Sequence, residues 1–438
     1  MNARFGAVLS GALLLAACGG GGGGSTGGGS TGGGSTGPML TLVSITPAAA
    51  YSGNNPGTVT VAGVVTVSGA NASALKVSLV NGSGSAVAGA SASITGAPSP
   101  GEVSFSASIG TATLPAGMYQ LEVQATSSSG GISNTVSQPF NLIAYPWSSA
   151  TPMPSSVSEF AIAAVGTKIY LLTGLSTVNG VGTATSQVQI FDSASGLWST
   201  GPQAPTPRAG SVAATVGGKI YIIGGYNSSN PGGITAVDIF DPTSATWASG
   251  SPEPTARLFA CAGVIGSSIY VASGTQSQTD TPALDSLESL DASMGTWSTL
   301  AQDGYFVAHP ACAVLNGILY LTGGNSSANG ASESVGAKSY DPRINVWSGL
   351  NFFSINRTRH AAVSVGGQIV IMGGLSDAGG ITASTNVTEA FTPSSNSWQT
   401  KAAMPVAAQD VNAVQINGVV YVFSPISTYV YQALTDTL

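Results

Sequence analysis

The sequence predicts an all-β chain, in which a closed ring of six four-stranded units follows a smaller two-layer β domain. Three observations predict it. All six tryptophans keep one period, with Trp147, Trp198, Trp247, Trp297, Trp347 and Trp398 lying 49–51 residues apart. An Asp stands six residues ahead of the Trp in four of these intervals (Asp192, Asp241, Asp291, Asp341), with Thr392 in the fifth. Upstream in each unit comes an apolar pair, mostly ending in Tyr: Ile169-Tyr170, Ile220-Tyr221, Ile269-Tyr270, Leu319-Tyr320, Ile369-Val370 and Val420-Tyr421. A repeat of about 50 residues made of short strands is the mark of a β-propeller.

The elements of one unit follow in order. Ser211 to Val216, Ile220 to Ile223, Ala236 to Phe240 and the run around Trp247 read as four strands, each bounded by Gly, Pro, Asn or Asp. Asp241-Pro242 and Asp341-Pro342 are turn dipeptides that close a strand. One such unit cannot bury both faces; packing units around an axis does so and leaves only short edges. Gly-Gly follows the apolar pair in three units (Gly224-Gly225, Gly323-Gly324, Gly373-Gly374), and Gly174-Leu175, Gly274-Thr275 and Pro425-Ile426 stand as its worn counterparts. Over residues 147–438 this pattern resembles the kelch repeat, whose units carry Gly-Gly after the second strand and Trp in the fourth. The resemblance implies a six-bladed kelch-type β-propeller over 146–438. Trp147 precedes the first unit, so its strand is expected to complete the last blade.

Ahead of the ring, Arg4 and the apolar run Phe5 to Leu15 form a short leader. Leu15-Ala16-Ala17-Cys18 resembles the bacterial lipoprotein cleavage box, which implies a signal peptide over 1–17 and lipid on Cys18. A plain secretory signal is the alternative. Gly19 after the cysteine favours the outer membrane by the family's sorting rule. Residues 18–37 then form a Gly/Ser/Thr tether with a reach of roughly 24 Å. Residues 38–145 alternate without helical period, as in Thr58-Val59-Thr60-Val61 and Val103-Ser104-Phe105-Ser106. The run Leu114 to Val123 resembles the corner and strand of immunoglobulin-like or fibronectin-like sandwiches.

Only 7% of residues are charged and the formal net charge is −7, without basic runs, so nucleic acid is excluded as a partner. The two histidines, His309 and His360, fall in different units, and no metal-ligand spacing occurs; no metal and no cofactor are expected. The spacing of the copper site in galactose oxidase, another kelch-like propeller, is not reproduced. Cys261 and Cys312 stand nine and eight residues ahead of the aligned Tyr. Odd against even offset is expected to place them on opposite faces, as two buried thiols without a disulfide.

Aligning the innermost strands isolates two slots. Thirteen residues before the aligned Tyr stand Val157, Arg208, Arg257, Val307, Arg357 and Ala408. A repeated Arg reads as structural, through inter-blade hydrogen bonds, with ligand contact as the alternative. Eleven residues before it stand Glu159, Gly210, Phe259, His309, Arg359 and Asp410. In kelch binding domains this position faces the mouth of the central channel. Here it is non-repeating and rich in ionisable groups, and His309, Arg359, Asp410 and Glu159 are contiguous around a closed ring, with Phe259 and Gly210 facing them. A polar arc against an aromatic wall suits a small polar ligand, sugars above all; a solvated ring of charges is the alternative. His360 is expected to point away and be structural. Asn227, Asn325 and Asp377 open long uncharged loops on the same side and are candidate contacts, although such residues also make turns.

The expected function is non-catalytic: a lipid-anchored envelope protein with a propeller that binds glycan or protein at its mouth. The alternatives are a sugar mutarotase resembling the periplasmic kelch sialic-acid epimerase, with His309 and Glu159 or Asp410 as acid and base, and a structural surface protein without a small ligand.

Overall fold

The computed structural model describes residues 38–47, 49–52, 58–69, 72–95, 101–326, 333–334, 336–378 and 381–436. The leader, Cys18 and the tether lie outside them.

Residues 38–144 form one eight-stranded sheet, in the order Pro38–Thr46, Thr58–Gly69, Gly101–Gly110, Ala86–Thr95, Ala72–Val80, Gly117–Ser127, Ile132–Ala144 and Ala49–Ser52. Period-two alternation sends Val59, Val61, Val65 and Val67 from one strand, and Val103, Phe105, Ala107 and Ile109 from its neighbour, into a single core. Leu75, Val77, Leu79, Leu121, Val123 and Phe140 close that core from the other strands. Tyr119 donates from its hydroxyl to the Pro115 carbonyl at 2.8 Å, which pins the loop at the start of its strand.

Beyond it lie six four-stranded antiparallel sheets, here blades 1 to 6. Their innermost strands are Ala161–Val165, Ala209–Val216, Cys261–Ile265, Ala311–Leu315, Ala361–Val365 and Asn412–Ile416. Each packs beside the next, and the sixth packs beside the first, so the ring is closed. The Trp147–Ser149 strand pairs with Ser427–Tyr431 and is the outermost strand of blade 6, as the spacing of the tryptophans predicts.

The structure explains that spacing. Every indole N–H donates to the backbone carbonyl four residues after the preceding Trp. Trp198 bonds Thr151, Trp247 bonds Pro202, Trp297 bonds Ser251, Trp347 bonds Ala301 and Trp398 bonds Asn351, at 2.8–3.2 Å. Trp147 bonds Ala402 at 2.9 Å and so closes the same series around the ring. Each tryptophan thus ties one blade to the linker before it. The repeated Asp caps the turn between the third and fourth strands: Asp192, Asp241, Asp291 and Asp341 each accept the N–H two residues on, at 2.9 Å.

Three expectations need correction. The Gly-Gly equivalents in blades 1, 3 and 6 are Thr173-Gly174, Ser273-Gly274 and Ser424-Pro425, one residue earlier than the sequence reading placed them. Strand pairing shows the register, and Thr173 and Ser273 share the left-handed backbone of Gly224, Gly323 and Gly373. The second residue of the doublet donates its N–H to the next blade: Gly174 to Arg208, Gly225 to Arg257, Gly274 to Val307, Gly324 to Arg357 and Gly374 to Ala408. Proline cannot make the sixth bond, and at the closing seam the Ser156 hydroxyl donates to Pro425 O at 2.8 Å instead.

The repeated arginines are structural, but their side chains act within a blade. Arg208 donates to Gly224 O, Ala236 O and Asp238, all in blade 2, and Arg357 does the same with Gly373 O, Val387 O and Glu389 in blade 5. Between blades they bond through the backbone: each carbonyl accepts from the blade before it, and the Arg208 amide donates to Thr185 O at 3.4 Å.

Cys261 and Cys312 are joined by a disulfide, with Cα atoms 5.4 Å apart. The two side chains do leave opposite faces of their strands, as their odd and even offsets predict. In adjacent blades of a ring, however, the faces that meet are opposite ones, so opposite parity brings the sulfurs together.

Candidate functional site at the mouth of the channel

The six residues of the charged slot share one backbone state. Glu159, Gly210, Phe259, His309, Arg359 and Asp410 all have φ between 52° and 64°. Such a left-handed residue is uncommon outside glycine, and a ring of them has a structural cause. The slot lies where the chain enters each innermost strand, and its amides link blade to blade. Gly210 N donates to Glu159 O, Phe259 N to Gly210 O, His309 N to Phe259 O and Arg359 N to His309 O, at 2.8–3.3 Å. Val411 N continues the belt to Arg359 O at 3.2 Å. With the backbone so committed, all six residues line one pocket of about 100 Å³ at the head of the channel.

Their side chains form a continuous network. Arg359 donates Nη1 to Asp410 Oδ1 at 3.2 Å and reaches His309 Nε2 with Nη2 at 3.0 Å. The same Nε2 lies 3.1 Å from Asp280 Oδ1, and Asn325 Nδ2 donates to Asp280 Oδ2 at 3.4 Å. One imidazole nitrogen carries either a proton or a lone pair, so His309 serves Asp280 or Arg359 but not both at once. On the other side Tyr226 donates its hydroxyl to Glu159 Oε2 at 2.8 Å. Burial raises the Glu159 carboxyl, against the Tyr226 hydrogen bond and the Arg359 charge. Burial lowers the His309 imidazole; the Asp280 hydrogen bond opposes this and the Arg359 charge adds to it. For Asp280, burial is outweighed by the hydrogen bond and charge of His309, and its carboxyl stays below the usual range.

Phe259 faces the polar arc at Arg359, whose Cζ lies 5.8 Å from its ring centroid, and it adjoins the arc as well. Its ring stacks on His309, centroids 3.9 Å apart and planes at 25°, and meets Tyr226 edge-on at 5.7 Å. Blades 3 and 4 are neighbours and the pocket is narrow, so the two rings fill the same wall. Gly210 makes the room: a Cβ there would lie 2.7 Å from Phe259 Cε1.

The loop candidates fare unequally. Asn325 joins the network through Asp280. Asn227 is committed to its own turn, with Nδ2 donating to Pro207 O and Oδ1 accepting from the amides of Ser229 and Asn230. Asp377 lies on the Leu375–Ala378 strand, and its side chain is outside the described residues. His360 is buried below the mouth, with Nε2 2.9 Å from Thr322 Oγ1. Sequence alignment missed Tyr226 and Asp280. Tyr226 directly follows a Gly-Gly doublet and was legible as the one aromatic at that slot; Asp280 sits in a non-repeating loop that no alignment of blades registers.

The mouth differs from the buried ion pairs inside the blades. Side-chain exposures are 24% for Arg359 and 14% for Asp410, against 0% and 1% for Arg357 and Glu389. The mouth pair therefore faces solvent, while the pair inside the blade is sealed. Among the described residues no cluster of His, Cys, Asp and Glu is arranged to hold a metal ion.

Comparison with known proteins agrees with this architecture. Residues 159–374 match the KLHDC2/KLHL20/DRC7 Kelch-repeats domain and residues 356–405 match the Kelch motif, so the chain carries kelch repeats. The Kelch-like protein terF of Aspergillus terreus is 34% identical over 96 residues, which is 21% of either chain. The chain thus spans about a fifth of that relative's length. A solved structure of YjhT superposes with a TM-score of 0.50 at 15% identity, over 65% of this chain and 94% of that one. That likeness is one of fold.

Proposed function

We propose that this chain is a lipid-anchored envelope protein whose kelch propeller binds a polar ligand, a glycan before a protein, at the mouth of its channel. In this reading residues 1–17 are a signal peptide, Cys18 carries lipid, 18–37 are a tether to the outer membrane and 38–145 are an immunoglobulin-like spacer. The observation that carries the binding role is the ring of six left-handed residues, Glu159 to Asp410. Their backbone is fixed by blade-to-blade hydrogen bonds, so the side chains are free to differ, and four of the six are ionisable. Arg359, Asp410, His309 and Glu159 offer the paired donors and acceptors that sugar hydroxyls take, and Phe259 supplies an apolar face beside them. Glu159, Asp280 and Asp410 outnumber the single Arg359, which disfavours an anionic ligand.

The test is a glycan array probed with the full chain and with Arg359→Ala. Binding that disappears in the variant supports the reading; binding equal in both removes the mouth from it. Membrane retention of Cys18→Ser with unchanged acyl labelling would remove the lipid anchor.

One observation favours a second reading, a sugar mutarotase. Burial shifts Glu159 up and His309 down, so a carboxyl and an imidazole lining one pocket approach each other in proton affinity. Polarimetry of freshly dissolved sugar anomers, with Glu159→Gln as control, decides between the two.

A further inference from the structure

Beside the mouth a second cavity of about 730 Å³ opens over blades 1 and 2. Its floor is Leu175 and Tyr226, and its rim carries Thr183, Ser228, Ser229 and Gln278. Three blades contribute: the hairpin of Leu175–Val178 and Val181–Ala184 from blade 1, the segment after Tyr226 from blade 2, and Gln278 from the long loop of blade 3. No carboxylate, imidazole or basic group lines it. Tyr226 is the shared wall, with its ring in the second cavity and its hydroxyl on Glu159 in the mouth.

The two volumes decide how a ligand could divide between them. Pockets that enclose a small organic ligand measure about 300–1,000 Å³. The mouth, at about 100 Å³, is well below that range, and the neighbouring cavity is inside it. By itself the mouth therefore has room for the polar groups at one end of a ligand and not for its body; the channel that continues from it between the innermost strands adds about 250 Å³.

We infer that the cavity lined by Leu175, Thr183, Tyr226, Ser228 and Gln278 is a second subsite, which holds uncharged sugar units of an oligosaccharide whose terminal unit reaches into the mouth. This rests on the mouth being a ligand site. Hydroxyl and amide side chains match sugar hydroxyls, Leu175 and the Tyr226 ring match the C–H face of a pyranose, and the lack of charge favours a neutral chain.

The experiment is calorimetric titration of the full chain with glucose and N-acetylglucosamine oligomers of increasing length. Affinity is expected to rise about tenfold or more from monomer to trimer, the size of one added set of contacts, and then to level off. Ser228→Trp, at an exposed position, and Gln278→Ala should remove that gain and leave monomer binding intact, with unchanged melting temperature. Arg359→Ala should abolish binding at every length. Affinity independent of length, or a full gain in both subsite variants, overturns the second subsite while the mouth stands. A length dependence that survives Arg359→Ala overturns the mouth instead. Oligomers that fail to bind at any length overturn both.

Discussion

The imidazole of His309 lies flat against the ring of Phe259, and the strands that follow these two residues are joined by the Cys261–Cys312 disulfide. Cys261 is two residues beyond Phe259, and Cys312 is three beyond His309. The crosslink holds the innermost strands of blades 3 and 4 side by side, immediately below the stacked pair. A disulfide spanning a separation of 51 residues is expected to stabilise the fold by restricting the unfolded chain, typically by about 2–4 kcal/mol. Cys261→Ser is therefore expected to lower the melting temperature by several degrees, and reductant should do the same to the wild type. Thiol titration of the denatured Cys18→Ser chain should find no free thiol until reductant is added. Two free thiols in the unreduced protein would show the bond to be absent.

The two arginine slots make a paired prediction. Arg208 is fully buried, 2.5 Å from Asp238, and it also bonds two carbonyls of its own blade. Removing one partner of such a pair leaves a buried charge and costs about 3–5 kcal/mol. Arg208→Ala should lower the melting temperature strongly in thermal denaturation. Arg359→Ala, at a solvent-facing pair, should change it little and act on ligand binding instead. The reverse pattern would show that the slots had been assigned the wrong way round.

Blade 3 carries a pH-dependent element. Arg257 lies 2.8 Å from both Glu253 and Glu288, where Arg208 and Arg357 each have one carboxylate partner. Burial, with Glu288 adding and Arg257 opposing, pushes the Glu253 carboxyl up to about 8 from its ordinary 4.5. The folded state then binds more protons than the unfolded state between those two values. Stability is greatest below the lower value and falls as pH rises toward the upper one. Urea denaturation of the wild type should show a loss of at least about 1 kcal/mol between about pH 5 and about pH 8. Glu253→Gln removes the titrating group and should flatten that profile; an unchanged slope would place its origin elsewhere.

How much of this was legible in the sequence depended on whether the signal repeats. The tryptophan period is visible because one hydrogen bond, indole to the linker carbonyl, recurs in every blade. The charged slot was legible for the opposite reason: its backbone role repeats while its side chains do not, so an alignment of blades isolates Glu159, His309, Arg359 and Asp410 together. Asp280 was not legible, because its loop has no counterpart in other blades. The Cys261–Cys312 bond was misread because strand parity was applied as if both residues belonged to one sheet. Asp436 gave no signal either; its partners Tyr51 and Ala402 are remote in the chain, and only Tyr431 lies near it, five residues before.

Those partners place ring closure and the docking of the N-terminal domain at one spot. Trp147 stacks on Tyr431 at 4.5 Å and donates to Ala402 O, while Asp436 accepts the Tyr431 hydroxyl at 2.6 Å and the Ala402 amide at 2.9 Å. Tyr51 of the N-terminal domain donates to the same carboxylate, and Tyr145 bonds Ala403 O at 2.5 Å. Truncating the buried Trp147 to Ala should cost about 3–5 kcal/mol, whereas Tyr51→Phe removes one hydrogen bond to a carboxylate and should cost about 1.5–3 kcal/mol. A chain starting at residue 151 loses the Trp147–Ser149 strand and exposes the Ser427–Tyr431 edge. It should aggregate or melt well below a chain starting at residue 144. Equal melting temperatures for these two chains would mean that the last blade does not depend on its N-terminal strand.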